Sequence, residues 1–346
     1  MYLADADSTL PNIALMRLAT YFRARGVPVR KLVRPGDRRS LWEPIEDVWG
    51  SSIFTTSTQE RAAIEHEWGL VRWGGTGVNV ASSLAEVDPS LSAEEWESVP
   101  LDYSLYPNFA PSIGFLTRGC RLRCGFCVVP QKEGRPRAVS TVDAVWRGDG
   151  HPRHLHLLDN DAFAKPLRDF WRGAVEELNA RKFKVCFSQG VNLRLVDDEA
   201  AAMLASVCYV GNDFAKRILY TAWDNLRDED IFRAGVERLR VAGVPPHRLR
   251  VFMLVGYREG ETWEEVFYRF AELVALGCEP FVMVFDAAAR PDLCAFQRWS
   301  NRWAFRSIAW PDYARDGTFD TRIAGAARAE SDAAWSRVVG RMLSNG

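Results

Sequence analysis

Three cysteines, Cys120, Cys124 and Cys127, stand in the run Thr117-Arg118-Gly119-Cys120-Arg121-Leu122-Arg123-Cys124-Gly125-Phe126-Cys127, directly after the apolar, strand-like segment Ile113 to Thr117. Thiolates ligate iron–sulfur clusters, and a 4Fe-4S cubane is usually held by four of them. A compact Cys-x3-Cys-x2-Cys set would leave one iron without a protein ligand. An open coordination position is where metal chemistry takes place. Short-gapped cysteine loops also hold structural zinc, and His151, His154 and His156 lie near enough in sequence to offer a fourth ligand. His154 and His156, however, sit on an alternating pattern before Asp159, where burial in a strand accounts for them.

The remaining composition bounds the setting of this loop. A chain of 346 residues suggests two domains, or one large barrel with an appendage. With 47% hydrophobic residues and no uninterrupted apolar stretch of membrane-spanning length, a soluble globular protein is expected. The start, Met1-Tyr2-Leu3-Ala4-Asp5, has no basic segment followed by an apolar core, so a cytoplasmic location is the default expectation. Seven cysteines, three of them clustered, argue for a reducing compartment over a disulfide framework. Cys186, Cys208, Cys278 and Cys294 are scattered and read either as small core residues or as a further ligand or substrate-handling thiol. The 44 basic and 45 acidic side chains give no global electrostatic footprint for nucleic acid. Arg118, Arg121, Arg123, Lys132, Arg135 and Arg137 nevertheless crowd around the cysteine loop, where they read as solvated surface, as contacts to an anionic group, or as tuners of a metal centre.

The elements that must position the loop follow a repeating pattern. In residues 1–83 a helix with Pro11 in its first turn, Leu15, Leu18, Ala19 and Phe22 on one face and Gly26 at its end lies between short strands at Met1 to Ala4 and Val29 to Val33. Ser52 to Thr55 as a strand, Thr58 to Trp68 as a helix, Leu70 to Trp73 as a strand and the turn Gly74-Gly75-Thr76-Gly77 complete a small doubly wound α/β domain. Residues 84–111 read as a linker. From 112 to 286 six strand candidates recur: Ile113 to Thr117, His154 to Leu158, Lys184 to Ser188, Ile218 to Trp223, Leu249 to Val255 and Phe281 to Phe285. Helical segments separate them, the clearest having a Thr262/Glu265 capping box, a stripe of Trp263, Val266, Phe267, Phe270 and Val274, and a stop at Gly277. Residues 287–346, with Trp299, Trp303 and Trp310, read as a C-terminal helical extension.

Loop, spacing and the aromatic Phe126 before the third cysteine resemble the radical S-adenosylmethionine (SAM) superfamily, and the six βα units resemble its partial (β/α)6 barrel. The resemblance implies that Cys120, Cys124 and Cys127 hold a 4Fe-4S cluster and that SAM binds the open iron. Reductive cleavage of SAM then yields a 5′-deoxyadenosyl radical. It also implies an electron donor such as flavodoxin or ferredoxin, with Phe126 shielding the cluster and its backbone approaching adenine. In barrels the reacting groups sit at strand C-termini. There Asp159 or Asn160 would meet the SAM ammonium, Gln189 and Asn192 the ribose, the carboxylate or the substrate, Asp224 would close the fourth strand, and Gly256 would lie beside adenine.

The N-terminal domain is similar, more loosely, to the cobalamin-binding-like domain attached to many radical SAM enzymes, with Gly74-Gly75 admitting a flat cofactor. The Asp-x-His-x-x-Gly ligand motif is absent, since the corresponding stretch reads Asp5-Ala6-Asp7-Ser8 and the first histidine is His66. Expected from the resemblance is therefore a radical SAM enzyme acting on an unidentified substrate. A cobalamin-dependent methyltransferase is its enzymatic alternative, and a non-catalytic metal-binding module the alternative outside catalysis. No RNA-binding module is appended, so nucleic acid is not indicated as a partner, and neither is a membrane.

Overall fold

A computed structural model of the chain describes residues 1–40, 42–44, 46–313 and 325–344. It is a mixed α/β protein with parallel sheets, and it divides into two compact units, Met1–His156 and Leu157–Gly346. Among the described residues no helix is long and apolar enough to cross a membrane.

The first unit begins with β1 (Tyr2–Asp5), α1 (Ile13–Ala24), β2 (Leu32–Val33), β3 (Val48–Ser51), α2 (Thr58–Trp68) and β4 (Val71–Gly74). All four strands run parallel in the order β2-β1-β3-β4, with Leu3 opposite Leu32, Tyr2 opposite Val48 and Val48 opposite Val71. Successive residues of β1 point to opposite faces, and both faces are apolar. Met1 and Leu3 pack with Leu15, Leu18 and Ala19 of α1, while Tyr2 and Ala4 pack with Ile64 and Trp68 of α2. Burial on both sides is what a doubly wound sheet requires. The strand expected at Ser52 to Thr55 lies earlier, at Val48–Ser51, and Ser52 begins a loop. Gly50 disguised it: a glycine reads as a break, yet here a Cβ would stand 2.4 Å from the Trp73 ring on the paired strand.

The segment expected as a linker is folded onto this sheet. Its short helix α3 (Ala93–Ser98) starts with a Ser92/Glu95 capping box and carries Trp96, 3% exposed, into the core with Leu3 and Leu18. Tyr106 follows and donates its hydroxyl to the buried Asp5 carboxylate at 3.0 Å. After it come β5 (Ser112–Gly114), β6 (Thr117–Arg118), α4 (Val129–Glu133), β7 (Arg137–Ala138), α5 (Val142–Val145) and β8 (His154–Leu157).

The second unit continues with α6 (Arg168–Ala180), β9 (Lys184–Phe187), α7 (Asp198–Ser206), β10 (Cys208–Tyr209), β11 (Leu219–Ala222), α8 (Glu229–Val241), β12 (Leu249–Val255), α9 (Trp263–Ala275) and β13 (Glu279–Val284). Strands β11, β12 and β13 are parallel neighbours in chain order. Beyond Gly190 the extension of β9 bridges to β11 in parallel through Val191 and Thr221. The two-residue β10, not anticipated, pairs with the start of β9. The capping box of α9 is present, but Val274 is 41% exposed and Leu273 takes its place on the buried stripe. In the C-terminal segment α10 (Pro291–Asn301), α11 (Trp310–Tyr313) and α12 (Gly325–Ser344) follow. Trp263, Phe267, Phe296, Trp299 and Trp310 stack there as core, and the indole N–H groups of Trp299 and Trp310 donate to Ile308 O and Ser331 Oγ. Residues 314–324, 345 and 346 of the expected C-terminal extension lie outside the described residues.

His156 is buried on β8, and burial pushes its imidazole down to about 4. Above pH 6.5 or so folded and unfolded chains both hold it neutral. As pH falls toward 4, the unfolded chain takes up a proton that the folded one refuses, so stability drops by about 2 kcal/mol at pH 5. Urea midpoints at pH 7.5 and pH 5 should therefore differ less in His156→Leu than in the wild type. Equal differences would remove His156 from the acid sensitivity of the fold.

Candidate functional site

The cysteine loop is closed as a stem in the first unit. Strands β6 and β7 pair antiparallel, Thr117 opposite Ala138 and Arg118 opposite Arg137, so the chain between them leaves and returns at one place. Gly119 turns at φ +87°, and a Cβ there would stand 2.3 Å from Arg135 O. Both conditions select glycine. Cys120 N–H donates to Gly134 O at 3.1 Å, closing the next rung. Glu133 at the end of α4 completes the closure: it accepts from Gly119 N–H at 3.0 Å and from the Arg118 guanidinium at 2.8 Å. Arg118 also pairs with Glu97 at 2.6 Å and covers the Phe115 ring, and Arg17 of α1 binds Glu97 from its other side. Lys132 donates to Val80 O and Ser82 O, tying α4 to the chain that follows β4.

Within the loop all three thiols are reduced and half-buried, Leu122 N–H points at Cys120 Sγ at 3.4 Å, and Cys127 N–H closes a turn on Cys124 O at 3.0 Å. Phe126 is half-buried beside them in sequence. Among the described residues no group of three or more His, Cys, Asp and Glu side chains already converges on a metal-sized point. Metal ligands reorient and lose their protons as the metal binds. Soft thiols in one stem-closed turn, with an amide directed at sulfur, are a donor set that fits an iron–sulfur cluster. Two of the other four cysteines differ: burial pushes the Cys186 and Cys278 thiols up to about 12, which keeps them protonated and inert.

In the second unit the strand ends carry the remaining candidates. Asp159 and Asp161, after β8, are buried, with Asn160 between them half-buried. After β9, Gln189 is exposed, Gly190 turns at φ +85°, and Asn192 Oδ1 accepts from Arg194 Nε at 3.2 Å. Arg194 in turn binds Asp228 at 3.0 Å. Asp224, after β11, accepts from Leu254 N–H at 3.0 Å, and desolvation raises its carboxyl above the usual range while Arg269 and Arg194 pull it back. Gly256, after β12, turns at φ +78° and donates its N–H to Glu261 at 2.7 Å. Its missing side chain leaves room for Leu293, whose Cδ1 would lie 2.8 Å from a Cβ.

Asp224 and Gly256 are brought together by a residue that the sequence pattern did not single out. Arg269, 1% exposed on the inner face of α9, donates to the carbonyls of Trp223, Asp224 and Leu254 and pairs with Glu261. One guanidinium therefore holds the ends of β11 and β12. The available signal was a cation inside the apolar stripe of α9, between Val266 and Phe270, where a surface arginine would have no reason to be.

The loops at the C-terminal edge of the N-terminal sheet bind one another through polar side chains. The Asp7 carboxylate accepts from Ile53 N–H, Phe54 N–H and Ser52 Oγ, so the loop after β3 already has its anion. Asn12, the N-cap of α1, donates to Ser51 Oγ at 2.9 Å and Ser8 Oγ at 3.0 Å. The space beside Gly75 and Gly77 is taken by backbone, with Ser52 O and Phe54 O each 2.4 Å from where a Cβ would stand. These glycines serve loop packing, and His66 lies exposed on α2.

Two substitutions test the supports. Arg269→Met leaves Glu261 and three carbonyls buried without their donor, and chemical denaturation should show a loss of about 3–5 kcal/mol. Arg269→Met/Glu261→Gln should recover part of it, and a single variant as stable as wild type would show the clamp to be idle. Gly119→Ala meets both a strained φ and a backbone clash. Amide exchange at Cys120 and Gly119 should accelerate by about tenfold or more, on a strain of roughly 1–3 kcal/mol.

Comparison of the chain with protein-family models and with curated proteins finds no match to either.

Proposed function

We propose that this protein is a radical SAM enzyme that cleaves S-adenosylmethionine reductively to modify a substrate by hydrogen abstraction. The observation that carries the reading is the stem-closed Cys120–Cys127 turn, three reduced thiols at Cys-x3-Cys-x2-Cys spacing held by Gly119 and Glu133. When bound, a 4Fe-4S cluster on Cys120, Cys124 and Cys127 would supply an iron without a protein ligand for the amino and carboxylate groups of SAM and the electron that breaks its sulfonium bond. The chain's own residues prepare that chemistry. Glu133 and Arg118 fix the loop ends so that the thiol-bearing turn is presented as a unit. Phe126 supplies apolar cover that excludes water from reactive carbon.

The strand ends of the second unit support the same reading by their chemistry. The exposed Gln189 amide offers a donor and an acceptor to a ribose or carboxylate, and the Asp159-Asn160 pair supplies acceptors for an ammonium. Asn192 and Asp224 are oriented by Arg194 and Leu254 N–H, and the positive φ of Gly256 is held by Glu261. Parallel strands β11, β12 and β13 in chain order, with β9 bridged to β11, are consistent with a partial (β/α)6 barrel. The cobalamin-assisted alternative rests on the looser resemblance of the N-terminal domain, and crowding beside Gly75 and Gly77 does not favour it.

Anaerobic reconstitution with iron and sulfide, followed by dithionite and SAM, should release 5′-deoxyadenosine, and Cys124→Ala should assemble no cluster. S-adenosylhomocysteine as the product would move the assignment to methyl transfer. A chain that holds only zinc, or a cubane with four protein ligands, would end the proposal.

A further inference from the structure

Trp299 and Trp310 belong to the C-terminal core, whereas Trp303 has a different setting. It follows the cap of α10, where a helix commonly ends on glycine, and it is held at φ +62° and ψ +18°. A bulky side chain in that left-handed conformation is an outlier that the fold must hold in place. Here Trp303 N–H donates to Ser300 O at 2.9 Å, and Trp303 O accepts from Arg306 N–H at 3.2 Å. Trp303 lines a cleft of about 410 Å³ in the second unit, together with Phe305, Val274, His247, Arg306 and Glu279. His247 precedes β12, Glu279 opens β13 and Val274 stands in the last turn of α9, so the cleft lies at the N-terminal ends of these strands. The seven residues of β12 set it about 20 Å from Asp224 and Gly256 at the other end.

Its walls are apolar, and its polar groups are unequally answered. Val274 is 41% exposed instead of joining the buried stripe of α9, and Phe305 is backed by Phe270 and Trp299. Glu279 is bound by Arg250 at 2.6 Å. The end of α9 is capped, Val274 O by Gly277 N–H and Leu273 O by Cys278 N–H. Arg306, by contrast, lies with its guanidinium 3.9 Å from the Trp303 ring centroid, and among the described residues neither its side chain nor that of the exposed His247 has an ion pair or a hydrogen bond.

We propose that this cleft binds a small planar aromatic anion, a ring that bears a carboxylate or a phosphate. Trp303 and Phe305 offer apolar surface to the ring. Arg306, already stacked on the indole, presents the forked N–H donors that suit an oxyanion, and His247 adds an imidazole donor. A guanidinium ordered before the ligand arrives loses less freedom on binding it. The volume lies within the roughly 300–1,000 Å³ of small-molecule sites. A cationic ligand is the weaker fit, because the acid on the wall, Glu279, already has Arg250. The inference uses neither the cysteine loop nor the radical SAM reading.

Titration calorimetry on the full chain with 1-naphthoate, 1-naphthyl phosphate and the neutral 1-naphthamide tests it. At least one anion should bind about tenfold or more tightly than the amide, and the tighter of the two tells carboxylate from phosphate. Arg306→Leu should remove that advantage and leave the affinity for the amide unchanged. Trp303→Gly takes away the ring and gives the left-handed position the residue it favours. Affinity for all three compounds should then fall by about tenfold while the thermal midpoint stays at or above that of the wild type. Trp303→Asn, also tolerant of that conformation, carries the same test if the glycine variant does not fold. Equal binding of anions and amide, or anion affinity unchanged in Arg306→Leu, overturns the proposal. So does an equal loss in Arg137→Leu, an exposed cation of the first unit, or a Trp303→Gly chain that melts well below the wild type and still binds the anion. The titration needs no cluster and no SAM, so its failure and the failure of SAM cleavage are read separately.

Discussion

The carboxylate of Glu133 closes the turn on which the proposed chemistry depends. It stands at the end of α4, 14 residues beyond the Gly119 amide and 15 beyond the Arg118 guanidinium that it also binds. A charge-assisted pair and an amide on one carboxylate define both ends of the loop more sharply than two hydrogen bonds between strands could. Because Arg118 also meets Glu97, and Glu97 meets Arg17, the clamp continues into α1 of the N-terminal sheet. The ends of the cysteine turn are thus anchored to a packed body.

The second unit solves a similar problem with a buried cation. Strand ends after β11 and β12 leave carbonyls without ladder partners, and a buried carbonyl without a donor is costly. Arg269 answers three of them and is neutralised by Glu261, which takes the Gly256 amide as well. Asp224 lies in the same neighbourhood, its carboxyl raised by desolvation and answered by Leu254 N–H. The polar groups that face the strand ends are therefore organised from the helix behind them.

Much of this organisation was readable in the chain, and the reasons it was or was not are physical. The helix Thr58–Trp68 and the strand Leu249–Val255 have the bounds that their periodicity indicates, because apolar spacing and caps are local. The strand at Val48–Ser51 was displaced in the reading because Gly50 answers to Trp73, a partner 23 residues away. The linker reading of residues 84–111 followed their polar composition, while Trp96, Leu91 and Leu105 are enough to seat the segment on a core. Of the pair Gly74-Gly75, the space beside Gly75 belongs to Ser52 O, whereas the nearest atom to a Cβ at Gly74 is Gly50 O at 4.0 Å. Glycine composition cannot say which neighbour takes the room it leaves.

What the sequence by itself determined is the chemistry on offer and the layout of the elements. Thiol identity, the gaps between Cys120, Cys124 and Cys127 and the alternation of strands with helices all depend on residues close together along the chain, whereas the strand expected at Ile113 to Thr117 is split into β5 and β6, which belong to different sheets. Only the tertiary structure decided which groups steady that chemistry: Glu133 on Arg118 and Gly119, Arg269 across two strand ends, and Asp7 in the loop after β3. The partners in these contacts lie as far as 47 residues apart, as with Asp7 and Phe54. Burial, which makes such charges seek one another, exists only once the chain has folded.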